Sequence, residues 1–203
     1  MELTPQEQTT LETYERIAPK WASTHNGNFW ATEIAQFHQL LPSGSVLEVG
    51  SGGGRDAREL IALGYDYTGT DISPAFLAEA SKQNPNGRFL LSSVYELDFP
   101  PETFDGFWAS AILLHLPKDR LNYALQRIKA CVKKGGLGFI SVKQGEGSKL
   151  LHEQVDGEPC ERFFSYYSEP EFTAVLESEG FSVIDFHIKE GRKETWLVYL
   201  VRC

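Results

Sequence analysis

Residues 46 to 56 read Val-Leu-Glu-Val-Gly-Ser-Gly-Gly-Gly-Arg-Asp, an apolar run that breaks into a glycine loop just before a helical pattern. Between Gly50 and Gly54 side chains are nearly absent, so the backbone can turn sharply and a ligand can lie directly on its amide groups. Glu48 stands two residues ahead of the loop, where a carboxylate faces a ligand that carries positive charge. A strand, a bare loop and an acid in this order describe a nucleoside-binding site.

Around this feature the chain alternates strand-like and helix-like segments from Ser45 onward, the pattern of βαβ units and a mostly parallel sheet. Strands are expected at 46–49, 65–70, 88–91, 104–110, 137–142, 181–187 and 195–201. Helices are expected at 55–63, closed by Gly64, at 74–83 after the capping Ser73, at 121–132, and at 169–179 after Ser168. Ahead of the first strand, 6–21 and 29–41 have helical apolar spacing and are separated by the Thr24-His25-Asn26-Gly27-Asn28 break. A polar stretch from Gln144 to Glu161 has no assigned strand, and the short 190–193 connection suits a hairpin. The expected fold is therefore α/β: a Rossmann-like three-layer sandwich whose seven-stranded sheet is mostly parallel, with an antiparallel last strand near the edge. Residues 1–44 form leading helices and 45–203 the core of one domain.

At 203 residues the chain buries roughly 70% of the surface its unfolded form exposes, with no room for a second substrate domain. A formal charge of -9 repels a nucleic-acid backbone on average, which makes nucleic acid an unfavoured partner. Cys131, Cys160 and Cys203 are far apart and form no C-x-x-C pair, so neither a disulfide framework nor a zinc site is indicated, and no metal is expected. Met1 to Gln8 hold two acids and no apolar stretch, against a secretory signal, and the longest apolar run, 106–114, is far short of the ~18 residues a membrane helix requires. A soluble, cytoplasmic setting is the expectation.

Open α/β sheets bind ligands beyond the carboxyl ends of their strands. Asp71 closes the second strand, 17 residues after Gly54, where a carboxylate either accepts both hydroxyl protons of a ribose or merely shapes a turn. Gly52-Gly53-Gly54-Arg55-Asp56-Ala57 formally matches the dinucleotide fingerprint G-x-G-x-x-[GA], a weak signal alone. Glu48 would oppose a pyrophosphate with like charge, and it suits a ligand bearing a sulfonium and an ammonium better. Asp56 in the first helical turn complements the helix dipole.

Glu48-x-Gly50-x-Gly52-x-Gly54 followed by Asp71 resembles the class I, seven-β-strand, S-adenosylmethionine-dependent methyltransferases. Phe104-Asp105-Gly106-Phe107-Trp108 with Leu114-His115-Leu116 resembles that family's fourth-strand region, and Lys133-Lys134-Gly135-Gly136-Leu137 its K-P-G-G-x turn with lysine in place of proline. The resemblance implies that S-adenosylmethionine is the cofactor, with S-adenosylhomocysteine as product. Gly50, Ser51, Gly52 and Gly54 would line its methionine part, with Glu48 near the ammonium. Asp71 would hold the ribose, Ile72 would cover the adenine, Ser93 and Val94 would flank it, and Ala109 or Ser110 would lie beside the cofactor. Many members carry an aspartate where Ser93 stands. Arg55 is either a solvated arginine at the helix start or a partner of the methionine carboxylate.

Methyl transfer from a sulfonium is an in-line displacement, and holding the near-attack geometry supplies on the order of 7 to 11 kcal/mol without a catalytic triad. Tyr14 and Trp21 share one face of the leading helix, which the resemblance places over the cofactor as a lid, and the same spacing fits core packing. His115, just past the fourth strand, is a candidate general base or a structural residue. Lys143-Gln144-Gly145-Glu146-Gly147 and Arg162-Phe163-Phe164-Ser165-Tyr166-Tyr167-Ser168 resemble elements of a bacterial, small-molecule-type branch of the family. Lys143, Glu146, Arg162 and Tyr166 would then converge over the sheet to select an acceptor, unless the segment is a surface loop. The leading expectation is methylation of a small molecule at N, O or S. Methylation of RNA or protein, and cofactor binding without transfer, are the alternatives.

Overall fold

The computed structural model describes residues 1–155 and 157–203. Its helices are α1 (Pro5–Thr24), α2 (Ala31–Leu40), α3 (Arg55–Ala62), α4 (Pro74–Gln83), α5 (Lys118–Cys131) and α6 (Glu169–Ser178). Its strands are β1 (Ser45–Val49), β2 (Asp66–Asp71), β3 (Arg88–Leu91), β4 (Phe104–Ser110), β5 (Val132–Lys143), β6 (Ser148–Val155), β7 (Glu158–Ser165), β8 (Ser182–Glu190) and β9 (Thr195–Arg202). Seven strands make the main sheet in the order β3-β2-β1-β4-β5-β9-β8. β9 runs antiparallel to both β5 and β8, while β1 to β5 are mutually parallel. The strand order reverses between β1 and β4, and that switch point is where such sheets bind ligands.

Helices cover both faces of this sheet, so its central strands read as continuous apolar runs rather than alternating ones. Val46, Trp108, Phe139 and Leu200 meet Phe37 of α2 and Leu60 of α3 on one face. Leu47, Phe107, Ile140 and Tyr199 meet Leu125 of α5 and Phe172 of α6 on the other. On the first face Trp108 stacks on Phe139 at 3.7 Å, and Phe37 meets Trp108 edge-on at 5.5 Å. This packing fixes the strand ends from which the site is built.

Two elements differ from the sequence reading. The Lys133–Gly136 turn is absorbed into β5, where Gly135 at φ 74° accommodates an irregular register against β4. More consequentially, much of the polar stretch after β5 folds as the antiparallel β6–β7 hairpin, a separate two-stranded sheet. Its fold depends on α1. Thr10 Oγ1 accepts the Phe163 amide at 2.9 Å, and Thr13 Oγ1 donates to the Glu161 carbonyl at 2.8 Å and accepts its amide at 3.3 Å. Threonine hydroxyls of a helix thus satisfy the open edge of β7, which a two-stranded hairpin otherwise leaves exposed.

α1 is anchored at two further points. Glu7 closes a capping box with Thr4 and is itself buried, accepting from the Tyr95 hydroxyl at 2.5 Å and Arg120 Nη1 at 3.2 Å. Glu15 accepts from the Ser73 hydroxyl and from the Ala75 amide at 3.2 Å, at the start of α4. Among the described residues no helix is long and apolar enough to cross a membrane. Thr10→Val should leave the Phe163 amide without an acceptor and cost about 1 to 3 kcal/mol in urea unfolding. An unchanged midpoint and slope would show that α1 does not hold the hairpin this way.

Candidate active site

The loop after β1 owes its shape to two anchors. Asp71, the last residue of β2, accepts the Gly52 amide on Oδ2 at 2.8 Å and the Ser73 amide on Oδ1 at 2.9 Å. Behind the loop, Asn84 Nδ2 donates to the Gly54 carbonyl at 2.9 Å. Gly52 lies at φ 51° with open space where a side chain would project, so its backbone faces the cavity bare. At Gly54 the reason for glycine is different: a Cβ there would come within 2.5 Å of Asn84 and 3.0 Å of Ala80 on α4.

Beneath the loop, Glu48 lies between Gly69 and Trp108 in register and is buried. The Tyr67 hydroxyl donates to it, yet burial holds its pKa well above the usual carboxylate range, and the Asp56 charge adds to the effect. A cation arriving in the cavity would favour the ionised form. Arg55 at the start of α3 grips Asp56 with two bonds, at 2.6 and 3.0 Å, and reaches Ser110 Oγ at 3.5 Å. Trp108 Nε1 also donates to Asp56, at 3.0 Å, so this acid serves a buried network as well as the helix dipole.

From this loop a cavity of about 920 Å³ runs along the carboxyl ends of the strands, roofed by α1 and the β6–β7 hairpin. Tyr14, Trp21, Glu48, Gly50, Ser51, Gly52, Arg55, Asp71, Ile72, Ser93, Val94, Ser110, His115, Lys143 and Arg162 all line it. Four expected residues do not. Gly54 is turned to α4, and Ala109 is fully buried in the α5 face of the core, since successive strand residues point to opposite faces. Glu146 is exposed in the β5–β6 connection, and Tyr166 packs outside the cavity against Gly145 with Lys149 over its ring. Ser93 Oγ accepts the Tyr95 amide at 3.2 Å and so shapes its own turn.

Residues not expected from sequence complete the walls: Glu153 on β6, Phe164 on β7, Glu194 in the β8–β9 connection, and Ala111. Ala111 holds φ 55°, an uncommon conformation for a non-glycine residue, with its amide bonded to Ser141 Oγ at 3.0 Å. An alanine carries no sequence signal for that. Glu153 and Glu194 lie on hairpins whose placement is tertiary.

At the centre of the roof Tyr14 joins three elements. His115 Nδ1 lies 2.8 Å from the Phe163 carbonyl, which can only accept, so Nδ1 carries the ring proton and Nε2 is an acceptor. The Tyr14 hydroxyl, 3.0 Å from Nε2, therefore donates to it, and Tyr14 oxygen accepts from Arg162 Nη1 at 3.1 Å. Burial lowers the His115 pKa to about 3, aided by the Arg162 and Lys143 charges and opposed by the Phe163 bond, so the ring is neutral. Burial raises that of Tyr14 against the lowering effect of Arg162.

Residues 46–136 match the family described as a methyltransferase domain. Haemophilus influenzae TehB, described as a probable S-adenosyl-L-methionine-dependent methyltransferase, is 24% identical over an alignment of 187 residues that covers 84% of this chain. The chain spans 61% of the length of that curated relative. Two solved structures share the fold. Burkholderia thailandensis 1,6-didemethyltoxoflavin-N1-methyltransferase, with bound 1,6-didemethyltoxoflavin and S-adenosylhomocysteine, superposes with a TM-score of 0.72 at 24% identity, covering 100% of this chain and 92% of that one. DhpI, in a complex with SAM and HEP, gives 0.75 at 21% identity with both chains covered in full. The chain shares the fold of these structures, and the family match falls on the segment that carries the glycine loop and Asp71.

Burial pushes the Asp71 pKa up to about 6, against the lowering bonds from the Ser73, Gly52 and Ile72 amides. With the ribose hydroxyls expected to donate to the charged carboxylate, affinity for S-adenosylhomocysteine should be level above pH 7 and fall as pH drops through 6. Glu48 gains charge over a rising pH as well, so the Asp71→Asn variant isolates the Asp71 part, which it should abolish. Asp71→Ala should weaken binding at pH 8 by at least about tenfold, the worth of a hydrogen bond to a charged group. Calorimetry giving unchanged affinity would remove Asp71 from the ribose.

Proposed function

We propose that this protein transfers the methyl group of S-adenosylmethionine to a small-molecule nucleophile. The observation that carries the reading is the continuity of one cavity from the Gly50–Gly54 loop and Asp71 to the Tyr14 hydroxyl. Its volume, about 920 Å³, lies in the upper range of small-molecule sites and suits a nucleoside cofactor together with a small acceptor. The charge of -9 disfavours RNA. The descriptions of TehB and of 1,6-didemethyltoxoflavin-N1-methyltransferase agree with methyl transfer.

The chain's own groups fit the cofactor. Ser51 Oγ is buried with no hydrogen-bond partner among the described residues, and Gly52 offers a bare backbone beside it. Ser51 and Gly52 would hold the methionine part, Glu48 the ammonium, Arg55 the carboxylate, Asp71 the ribose, and Ile72 with Val94 the adenine. S-adenosylmethionine, when bound, supplies an electrophilic methyl on a sulfonium. Everything else is alignment and water exclusion, the main contributions such a displacement needs.

Tyr14 is the residue placed to meet the acceptor, since it faces the cavity with its proton directed to His115. His115 works through Tyr14. A proton placed at pH 7 on a group titrating at about 3 costs on the order of 5 kcal/mol, which makes the ring a poor standing base and a good fixed acceptor. It orients the hydroxyl, and the Phe163 carbonyl orients the ring.

The activity is tested by incubating methyl-labelled S-adenosylmethionine with the protein and pools of small nucleophiles, beside total RNA and protein. Label should enter small molecules, and label found in RNA or protein instead would contradict the reading. With an acceptor in hand, Tyr14→Phe and His115→Ala should each lower kcat at least about tenfold. His115→Gln, which keeps an acceptor for the hydroxyl, should restore most of the loss. Equal damage from Gln and Ala, with a lost limb in the pH profile, would make His115 the base.

A further inference from the structure

Two buried cations line the cavity. Arg162 on β7 is 7% exposed and Lys143 at the end of β5 is 6% exposed. Each is met by a carboxylate from a hairpin: Arg162 Nη2 donates to Glu153, and Lys143 Nζ lies 2.9 Å from Glu194. Those carboxylate side chains are far more open to solvent, at 30% and 31%. The cations are the buried member of each pair, and their counter-ions are the partly exposed one.

The guanidinium is incompletely satisfied. Nη1 donates to Tyr14 and Nη2 to Glu153, but Nε is buried with no partner among the described residues. A buried charged donor without an acceptor is costly, and it belongs to a residue that lines the cavity. The surrounding walls are flat and apolar. The guanidinium carbon lies 5.1 Å from the Trp21 ring centre, 5.6 Å from Tyr14 and 5.2 Å from Phe164, and Lys143 Nζ lies 3.7 Å over Phe164.

We propose that the methyl acceptor carries an oxyanion head group, a carboxylate or a phosphonate, on a flat apolar body, and that Arg162 and Lys143 receive the head group in place of Glu153 and Glu194. The two glutamates act as displaceable counter-ions that keep the cations charged and the hairpins closed until the acceptor enters. This rests on the cavity being a methyl-transfer site. The geometry favours an anion over a cation because the basic groups are the buried members of each pair. An incoming ammonium would have to face two buried positive charges.

The test is calorimetry on the full chain, with and without saturating S-adenosylhomocysteine, using benzoate, phenylphosphonate, benzamide and benzylamine as probes. At least one anion should bind, with the neutral and cationic analogues at least about tenfold weaker, and the tighter anion identifies the head group. Glu153→Gln removes a competing charge without changing shape, so it should tighten the anion by about threefold or more. A purely structural ion pair would give no gain. Arg162→Lys keeps the charge and loses the planar fork, and should weaken the anion by about tenfold. Benzylamine or benzamide matching the anions, weaker anion binding in Glu153→Gln, or no anion binding at millimolar concentration would each overturn the proposal. Should Arg162→Lys fail to fold, the Glu153→Gln arm decides. S-adenosylhomocysteine failing to bind the unaltered chain would contradict the cofactor reading instead, and the arm without it still decides the anion question.

Discussion

The bond between the Asp71 carboxylate and the Gly52 amide, 2.8 Å long, is the constraint on which the rest of the site depends. It ties the end of β2 to the loop after β1, so the loop is formed before any ligand arrives. Asp71 also lines the cavity. The same group that shapes the glycine loop is the one we propose for the ribose. Burial with only backbone amides as partners raises its pKa to about 6, low enough that it remains charged at neutral pH.

Opposite the loop, the roof is made of parts that do not stand alone. A two-stranded hairpin is marginal by itself, and a helix buries only one face. α1 and β6–β7 solve both problems together through Thr10 and Thr13, and Tyr14 on the same helix is thereby carried to His115 and Arg162. Structural and chemical roles alternate along one turn of α1. Any change in the roof therefore moves the Tyr14 hydroxyl in the cavity wall.

Much of this was legible in the sequence because it is local or periodic. The continuous apolar runs of β1 and β4, the Ser73-Pro74 start of α4 and the spacing from Gly54 to Asp71 each state their role within a short window. The hairpin was not legible. β6 places Leu150 and Leu151 among charged residues, and the threonines that complete β7 stand some 150 residues earlier in the chain. The hairpin side of the cavity shows this: Lys143 and Arg162 line it, Glu146 and Tyr166 fall outside, and Glu153 and Glu194 stand beside the cations. A one-residue shift in strand register decides which side chains face inward, as Ala109 and Ser110 show.

The measurement that bears most directly on this account is a crystal structure of the protein with S-adenosylhomocysteine. The account requires both ribose hydroxyls on Asp71, the amino-acid portion along Ser51 and Gly52 above Glu48, and the sulfur turned toward the Tyr14 hydroxyl. A ligand whose ribose lies away from Asp71, or whose sulfur faces the loop with Tyr14 out of reach, would contradict it.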